Sequence, residues 1–83
     1  MVHRTKQEIY ASILRSARVN SGTGLTKLMY DSFTSHRQLS LNLKELIQMG
    51  LLIYESNIKK YRVTEKGLKF LELIDRMSDT LKV

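Results

Sequence analysis

A small, mostly helical α+β domain is what this 83-residue sequence predicts, and three observations carry that expectation. Apolar residues recur at spacings of three and four along four stretches, three of them opened by a Ser or Thr suited to cap a helix. One intervening stretch, Leu51 to Val63, is rich in strand formers. Proline is absent, so nothing interrupts the helical periods.

Composition sets the outer bounds. So short a chain makes one domain and hides only about 60–65 % of its unfolded surface, which implies a modest core. The lack of cysteine excludes a disulfide framework and a thiolate metal site, and fits a reducing cytosol. Met1 to Gln7 is polar and no apolar run approaches the ~20 residues of a membrane span, so the expectation is a cytoplasmic protein without a membrane partner. The net charge of +6 is unevenly placed: residues 1–64 hold ten Lys and Arg against four acids, whereas residues 65–83 hold four of each. A basic front and a neutral back point to a polyanion-binding unit with a different task at its C-terminal end.

The first helix is expected over Arg4 to Ala17, with Ile9, Ile13 and Ala17 as its apolar stripe, Tyr10 and Leu14 beside them, and Thr5 with Glu8 as a capping box. Asn20-Ser21-Gly22-Thr23-Gly24 is a cluster of helix breakers and reads as a linker. Its Gly-Thr-Gly is not a phosphate loop, because the Lys-Ser/Thr signature and a preceding strand are missing. A short helix over Gly24 to Ser32 follows, with Leu25, Leu28 and Met29 inward and Lys27 outward.

Next comes the stretch around which the rest is organised, Thr34 to Gly50. Ser35 and Gln38 form a capping box, Leu39, Leu43, Leu46 and Ile47 share one face, and Gly50 supplies a left-handed stop. The opposite face carries Arg37, Leu41, Lys44 and Gln48, flanked by Gln38, Ser40 and Glu45. Short polar, cationic and amide side chains of this kind hydrogen-bond base edges and phosphates in a major groove. They equally suit a solvated helix face, and two short helices in succession are common in small helical proteins.

The discriminating piece lies beyond Gly50. Leu51 to Glu55 reads as a strand, Ser56-Asn57 as a turn, and Ile58 to Val63 as a second strand with Tyr61 and Val63 on one side and Lys60 and Arg62 on the other. A basic hairpin directly after a polar-faced helix is a wing, whose Lys59 and Lys60 can reach phosphates or the adjacent minor groove. Such lysines also protect an edge strand from aggregation. Taken together, three helices and a wing make a winged helix-turn-helix, with a recognition helix over 35–49 and a wing over 51–63.

Thr64 opens the final helix, with Glu65 in its first turn where a carboxylate suits the dipole. Leu68, Phe70, Leu71, Leu73, Ile74, Met77 and Leu81 cover more than half of its circumference, more than one inward stripe requires. Phe70, Ile74, Met77 and Leu81 are spaced four, three and four, an a/d seam of nearly two heptads, while Leu68 and Leu71 turn toward the domain. Self-association through that seam is the reading preferred here, against internal packing of the whole helix. The expected organisation is a DNA-binding unit over 1–64 and a dimerisation helix over 65–83.

Thr26-Lys27-Leu28-Met29-Tyr30, Ser35 with Gln38-Leu39, Leu43, Gly50-Leu51-Leu52, and Tyr61 with Thr64-Glu65-Lys66-Gly67 and Leu68 carry a family likeness. Over nearly its whole length the chain resembles the small archaeal winged-helix DNA-binding proteins, a group of transcription regulators and chromatin proteins with a C-terminal dimerising helix. The resemblance implies a homodimer on double-stranded DNA, acting as a small regulator or chromatin protein on the chromosome or nucleoid. The sequence departs from the family in a shorter C-terminal helix, and in His36 and Asn42, where aromatics are usual. The candidate DNA-contacting residues are Arg4, Lys27, Ser35, His36, Arg37, Ser40, Leu41, Lys44, Gln48, Lys59 and Lys60.

The residue inventory argues against an enzyme. His3 and His36 lie in different elements without a cysteine partner or the pair spacing of a metal site. No serine sits in a nucleophile-elbow pattern, and the carboxylates are scattered. No catalytic residue, cofactor, metal or small-molecule ligand is expected. The competing reading is a winged-helix module for protein contacts, with Leu41 and Ile58 as apolar anchors. Leu41 also suits a thymine methyl.

Overall fold

The computed structural model describes residues 5–81, with side chains through Met77. Among these residues the chain forms α1 (Lys6–Ser16), α2 (Leu25–Ser32), α3 (His36–Gln48), β1 (Leu52–Glu55), β2 (Lys60–Val63) and α4 (Glu65–Leu81). This is the winged helix-turn-helix with a C-terminal helix that the sequence predicts. No helix among the described residues is long and apolar enough to cross a membrane.

Local chemistry sets most of the boundaries. Thr5 caps α1 by accepting the Glu8 amide at 3.1 Å, and Ser35 caps α3 by accepting that of Gln38 at 3.2 Å. At the far end of α3 the Gly50 amide donates to the Ile47 carbonyl and the Leu51 amide to that of Leu46, each at 3.0 Å. This pair of bonds satisfies two orphan carbonyls and needs a left-handed residue between them, which Gly50 provides at φ 76°. Because the Leu51 amide closes the helix, strand pairing begins one residue later than the sequence suggests, at Leu52.

The core joins Tyr10, Ala11, Ile13, Leu14 and Ala17 of the first helical stretch to Leu28, to Leu39, Leu43 and Leu46, to Leu51 and Leu52, and to Leu71 of α4. Two sequence expectations are corrected here. Ile47 stands 40 % exposed, and Asn42 takes its place inside at 2 %. The buried arc of α3 is centred between Asn42 and Leu43, so Ile47 falls at its edge. On α4, Leu71 docks on the domain as expected, whereas Leu68 remains 40 % exposed.

Residues 20–24 do more than link. Gly22 adopts φ 81°, which swings Thr23 alongside β2, where Thr23 and Tyr61 exchange both backbone hydrogen bonds at 2.9 Å. The Thr23 hydroxyl is buried and donates to the Ser16 carbonyl at 2.5 Å. The wing is thereby tied to the end of α1. Its two strands pair antiparallel, with Leu52 opposite Val63, Ile53 opposite Arg62, Tyr54 opposite Tyr61 and Glu55 opposite Lys60. The turn occupies Ser56–Lys59, so Ile58 belongs to the turn and not to the second strand. The Ile58 amide donates back to the Glu55 carbonyl at 3.3 Å, and Lys59 reverses the chain at φ 54°.

A close backbone approach lies where the wing returns to α4. The Thr64 amide donates to the Leu51 carbonyl at 3.1 Å. The Thr64 hydroxyl donates to the Gly50 carbonyl at 2.7 Å and accepts the Gly67 amide at 3.0 Å. A Cβ on Gly67 would sit 2.2 Å from the Leu51 carbonyl oxygen and 2.7 Å from the Val63 side chain, so α4 crosses the start of the wing at a distance only glycine permits. Replacing Gly67 by Ala is therefore expected to destabilise the domain by about 1–3 kcal/mol through overpacking against fixed backbone. For a domain of this size that lowers the midpoint by at least about 4 °C, in a thermal melt followed by circular dichroism. An unchanged midpoint would show that α4 can lift off the crossing freely.

Candidate nucleic-acid interface

The 13-residue α3 turns its buried side to the core and leaves Arg37, Gln38, Ser40, Leu41, Lys44 and Gln48 exposed. From Arg37 to Gln48 this face runs about 16 Å along the axis. Leu41 stands at its middle, 55 % exposed. His36 occupies the first helical position and is also exposed. Ser35 uses its oxygen to accept the Gln38 amide, so its hydroxyl proton is what it can offer outward. Past the Gly50–Leu51 stop the chain enters the wing at once, so α3 and the wing are joined with no intervening linker.

Ion pairing separates the cations into two groups. Lys6 of α1 reaches Glu45 of α3 at 2.7 Å, Lys27 reaches Asp31 within α2 at 3.2 Å, Arg15 meets Asp75 of α4, and Arg62 meets Glu55 across the hairpin. The carboxyls respond to these contacts. The Ser16 hydroxyl first, at 2.7 Å, and then Lys27 hold Asp31 below the ordinary carboxylate range. The Lys6 ammonium does the same to Glu45, which in return raises Lys6. Burial pushes the Tyr10 and Tyr61 phenols up. Among the described residues, the cations of α3 and of the wing tip, Arg37, Lys44, Lys59 and Lys60, form no ion pair, and neither do Arg18, Lys66 and Lys69 elsewhere.

The predicted contact residues therefore do not form one uniform set. Arg37, Ser40, Leu41, Lys44 and Gln48 share the outer face of α3, with Ser35 and His36 at its N-terminal end. Lys59 and Lys60 stand together at the wing tip. Lys27 is held by an acid one turn away, a pairing readable in the Lys27–Asp31 spacing. Arg4 lies outside the described residues. What the sequence reading missed is the support: Arg62, placed on the free side of the wing, neutralises Glu55, and Thr23 braces β2.

On α4 the residues predicted for a dimer seam divide as well. Phe70 and Ile74 are half-buried and pack against the core of their own domain, whereas Met77 is 53 % exposed and Leu73, left off the predicted seam, is 58 % exposed. The side chain of Leu81 lies outside those described. The physical reason is angular: Ile74 and Leu71 sit 60° apart, and Leu73 falls on the far side of Phe70.

The sequence matches the family model for winged helix-turn-helix domains over residues 3–82. The structure is similar to the crystal structure of Sso10a-2, a DNA-binding protein from Sulfolobus solfataricus. The two share 26 % identity with a TM-score of 0.73, over 95 % of this chain and 86 % of that one. Among curated proteins none matches.

Proposed function

The chain belongs to the winged helix-turn-helix family, and from that premise we propose that it binds double-stranded DNA, with α3 in the major groove and the wing on the adjacent backbone or minor groove. The observation that carries this reading is the division of charge. The acids ahead of α4 other than Glu8 are tied to Lys6, Lys27 and Arg62, while the outer face of α3 and the wing tip keep cations without acidic partners. A protein-contact module has no need of that segregation; a polyanion partner does. The DNA-binding character of the similar Sulfolobus protein supports the same reading. Chromosomal DNA in the cytoplasm is then the site of action.

Salt dependence is the direct test. Binding to a random duplex should weaken steeply with salt, and Lys60→Ala should reduce the slope of log affinity against log salt by about 1 while weakening all sequences alike. Lys27→Ala should change that slope less, because Asp31 already occupies Lys27. Absence of salt-dependent binding would favour the protein-contact reading, with Leu41 at its centre.

Sequence preference is assigned to Arg37 and Leu41. Arg37 lies in the first turn of α3, where a guanidinium can take guanine O6 and N7 together, and Leu41 can meet a thymine methyl. In a site-selection experiment Arg37→Ala should cost about 1–3 kcal/mol on the preferred site and relax one base position. Identical preferences for the two proteins would reduce Arg37 to a backbone contact.

One α3 reads only a few base pairs, too few to single out a site among the many of a chromosome. A two-fold homodimer acting as regulator or chromatin protein doubles the site, and α4 is the segment suited to build it. We assign residues 1–64 to DNA contact and 65–83 to dimerisation, a division of task within one shared core. The seam combines Phe70, Ile74, Met77 and Leu81 with the exposed Leu73. Because Leu73 and Met77 contribute little to their own core, Leu73→Glu and Met77→Glu should leave the monomer folded. Each would place an unpaired carboxylate in the seam, costing several kcal/mol of association. The variants should sediment as monomers and lose tight binding to a two-half site. Sedimentation of the unmodified chain as a monomer at tens of micromolar, with and without DNA, would refute the dimer.

A further inference from the structure

We propose that Ile58 at the wing tip is an apolar wedge that enters the minor groove and opens a base step, so that the protein bends the DNA it binds. The inference rests on the DNA-binding reading above and gives the wing a task beyond phosphate contact.

Ile58 is 44 % exposed in the four-residue turn Ser56–Lys59, where Ser56, Asn57 and Lys59 are polar. This apolar side chain is flanked on its C-terminal side by Lys59 and Lys60. The one acid near the tip, Glu55, is occupied by Arg62 across the hairpin. An apolar side chain set among unpartnered ammonium groups fits a surface that is anionic outside and stacked and apolar within, which describes a base step seen from the minor groove. A protein partner would have to supply an acidic rim around an apolar socket as small as one side chain.

The backbone of the tip points the same way. The Ile58 amide is fixed to the Glu55 carbonyl, and Lys59 holds φ 54°, a conformation that glycine or asparagine adopts with less strain. A lysine there places a cation beside Ile58 at a conformational cost, as happens at functional tips. The wing is also braced on both sides of β2. Tyr54 and Tyr61 pack across the strands with ring centroids 4.7 Å apart, and β2 is bonded on its other edge to Thr23. Wedges of this kind kink DNA by roughly 20–90°, most easily at pyrimidine–purine steps.

The test compares the full chain with Ile58→Ala, Ile58→Phe and Lys60→Ala on a duplex of about 100 bp, shorter than the ~150 bp persistence length and so slow to close into a ring unless bent. Occupancy is matched by fluorescence anisotropy. The unmodified protein should speed ligase-catalysed ring closure by on the order of tenfold. Ile58→Ala should lose most of that gain at equal occupancy, Ile58→Phe should keep it, and Lys60→Ala should need more protein but bend as well. A 2-aminopurine placed at a TA step should brighten with the unmodified protein and not with Ile58→Ala. Bound DNA that closes no faster, or closes equally fast with Ile58→Ala, overturns the wedge and leaves DNA binding standing. Failure to bind the duplex at any salt overturns the DNA-binding reading and the wedge with it.

Discussion

The crossing of α4 over the start of the wing is the constraint on which the arrangement depends. Thr64 bonds to the carbonyls of both Gly50 and Leu51, so the chain leaves α3, makes the wing and returns to the residues it left. The wing is a loop with both ends pinned at one place. Gly67 then brings α4 onto the Leu51 carbonyl, and Leu71 follows one turn later into the core. A hairpin of two four-residue strands is marginal by itself in water. Here its base inherits the rigidity of two helix ends, and Thr23 secures its outer strand.

That rigidity gives the charge pattern its meaning. Ion pairs on an exposed surface contribute little to stability; those formed by Lys6, Lys27 and Arg15 are largely exposed, and that of Arg62 with Glu55 is half-buried. Their larger effect is on the field: each pair is nearly neutral beyond a Debye length, so near α3 and the wing tip the potential is set by the unpaired cations of those two elements. Since the wing is pinned to the end of α3, those two groups keep a fixed relation. A rigid basic face meets a rigid polyanion with little ordering of its own backbone.

Much of the fold was legible because its signals are local. The Thr5, Ser35 and Thr64 caps, the Gly50 stop and the strand-rich LLIYE and IKKYRV stretches each act within a few residues. The missed features depend on residues far apart in sequence. Nothing near Asn20–Gly24 announces that Thr23 will pair with Tyr61, and Gly22 reads as an ordinary breaker until β2 lies beside it. Gly67 gives no local sign that it is the crossing point. The position of Asn42 inside and Ile47 at the edge follows from the angle at which α3 packs, which hydropathy alone does not give. Of the candidate site, the outer face of α3 and the lysines of the wing tip were legible from periodicity and position. The neutralisation of Arg62 by its cross-strand diagonal partner and the exposure of Leu73 were not.

The same crossing links the two proposed tasks of the chain. One arc of α4 carries Gly67 and Leu71 into the core, and the neighbouring arc carries Leu73 and Met77 to the surface, with Phe70 and Ile74 shared between them. In a dimer built on the outer arc, the path from the symmetry axis to the recognition helix would run through α4, Gly67, Leu51 and the end of α3, with no flexible linker. The distance and angle between two recognition helices would then be set by packing and not selected by the DNA. Half-site spacing becomes a property of the fold, and a protein so built must meet a mismatch in spacing by deforming the duplex and not itself. A wing tip able to open a base step is the device such a rigid frame would use to do so.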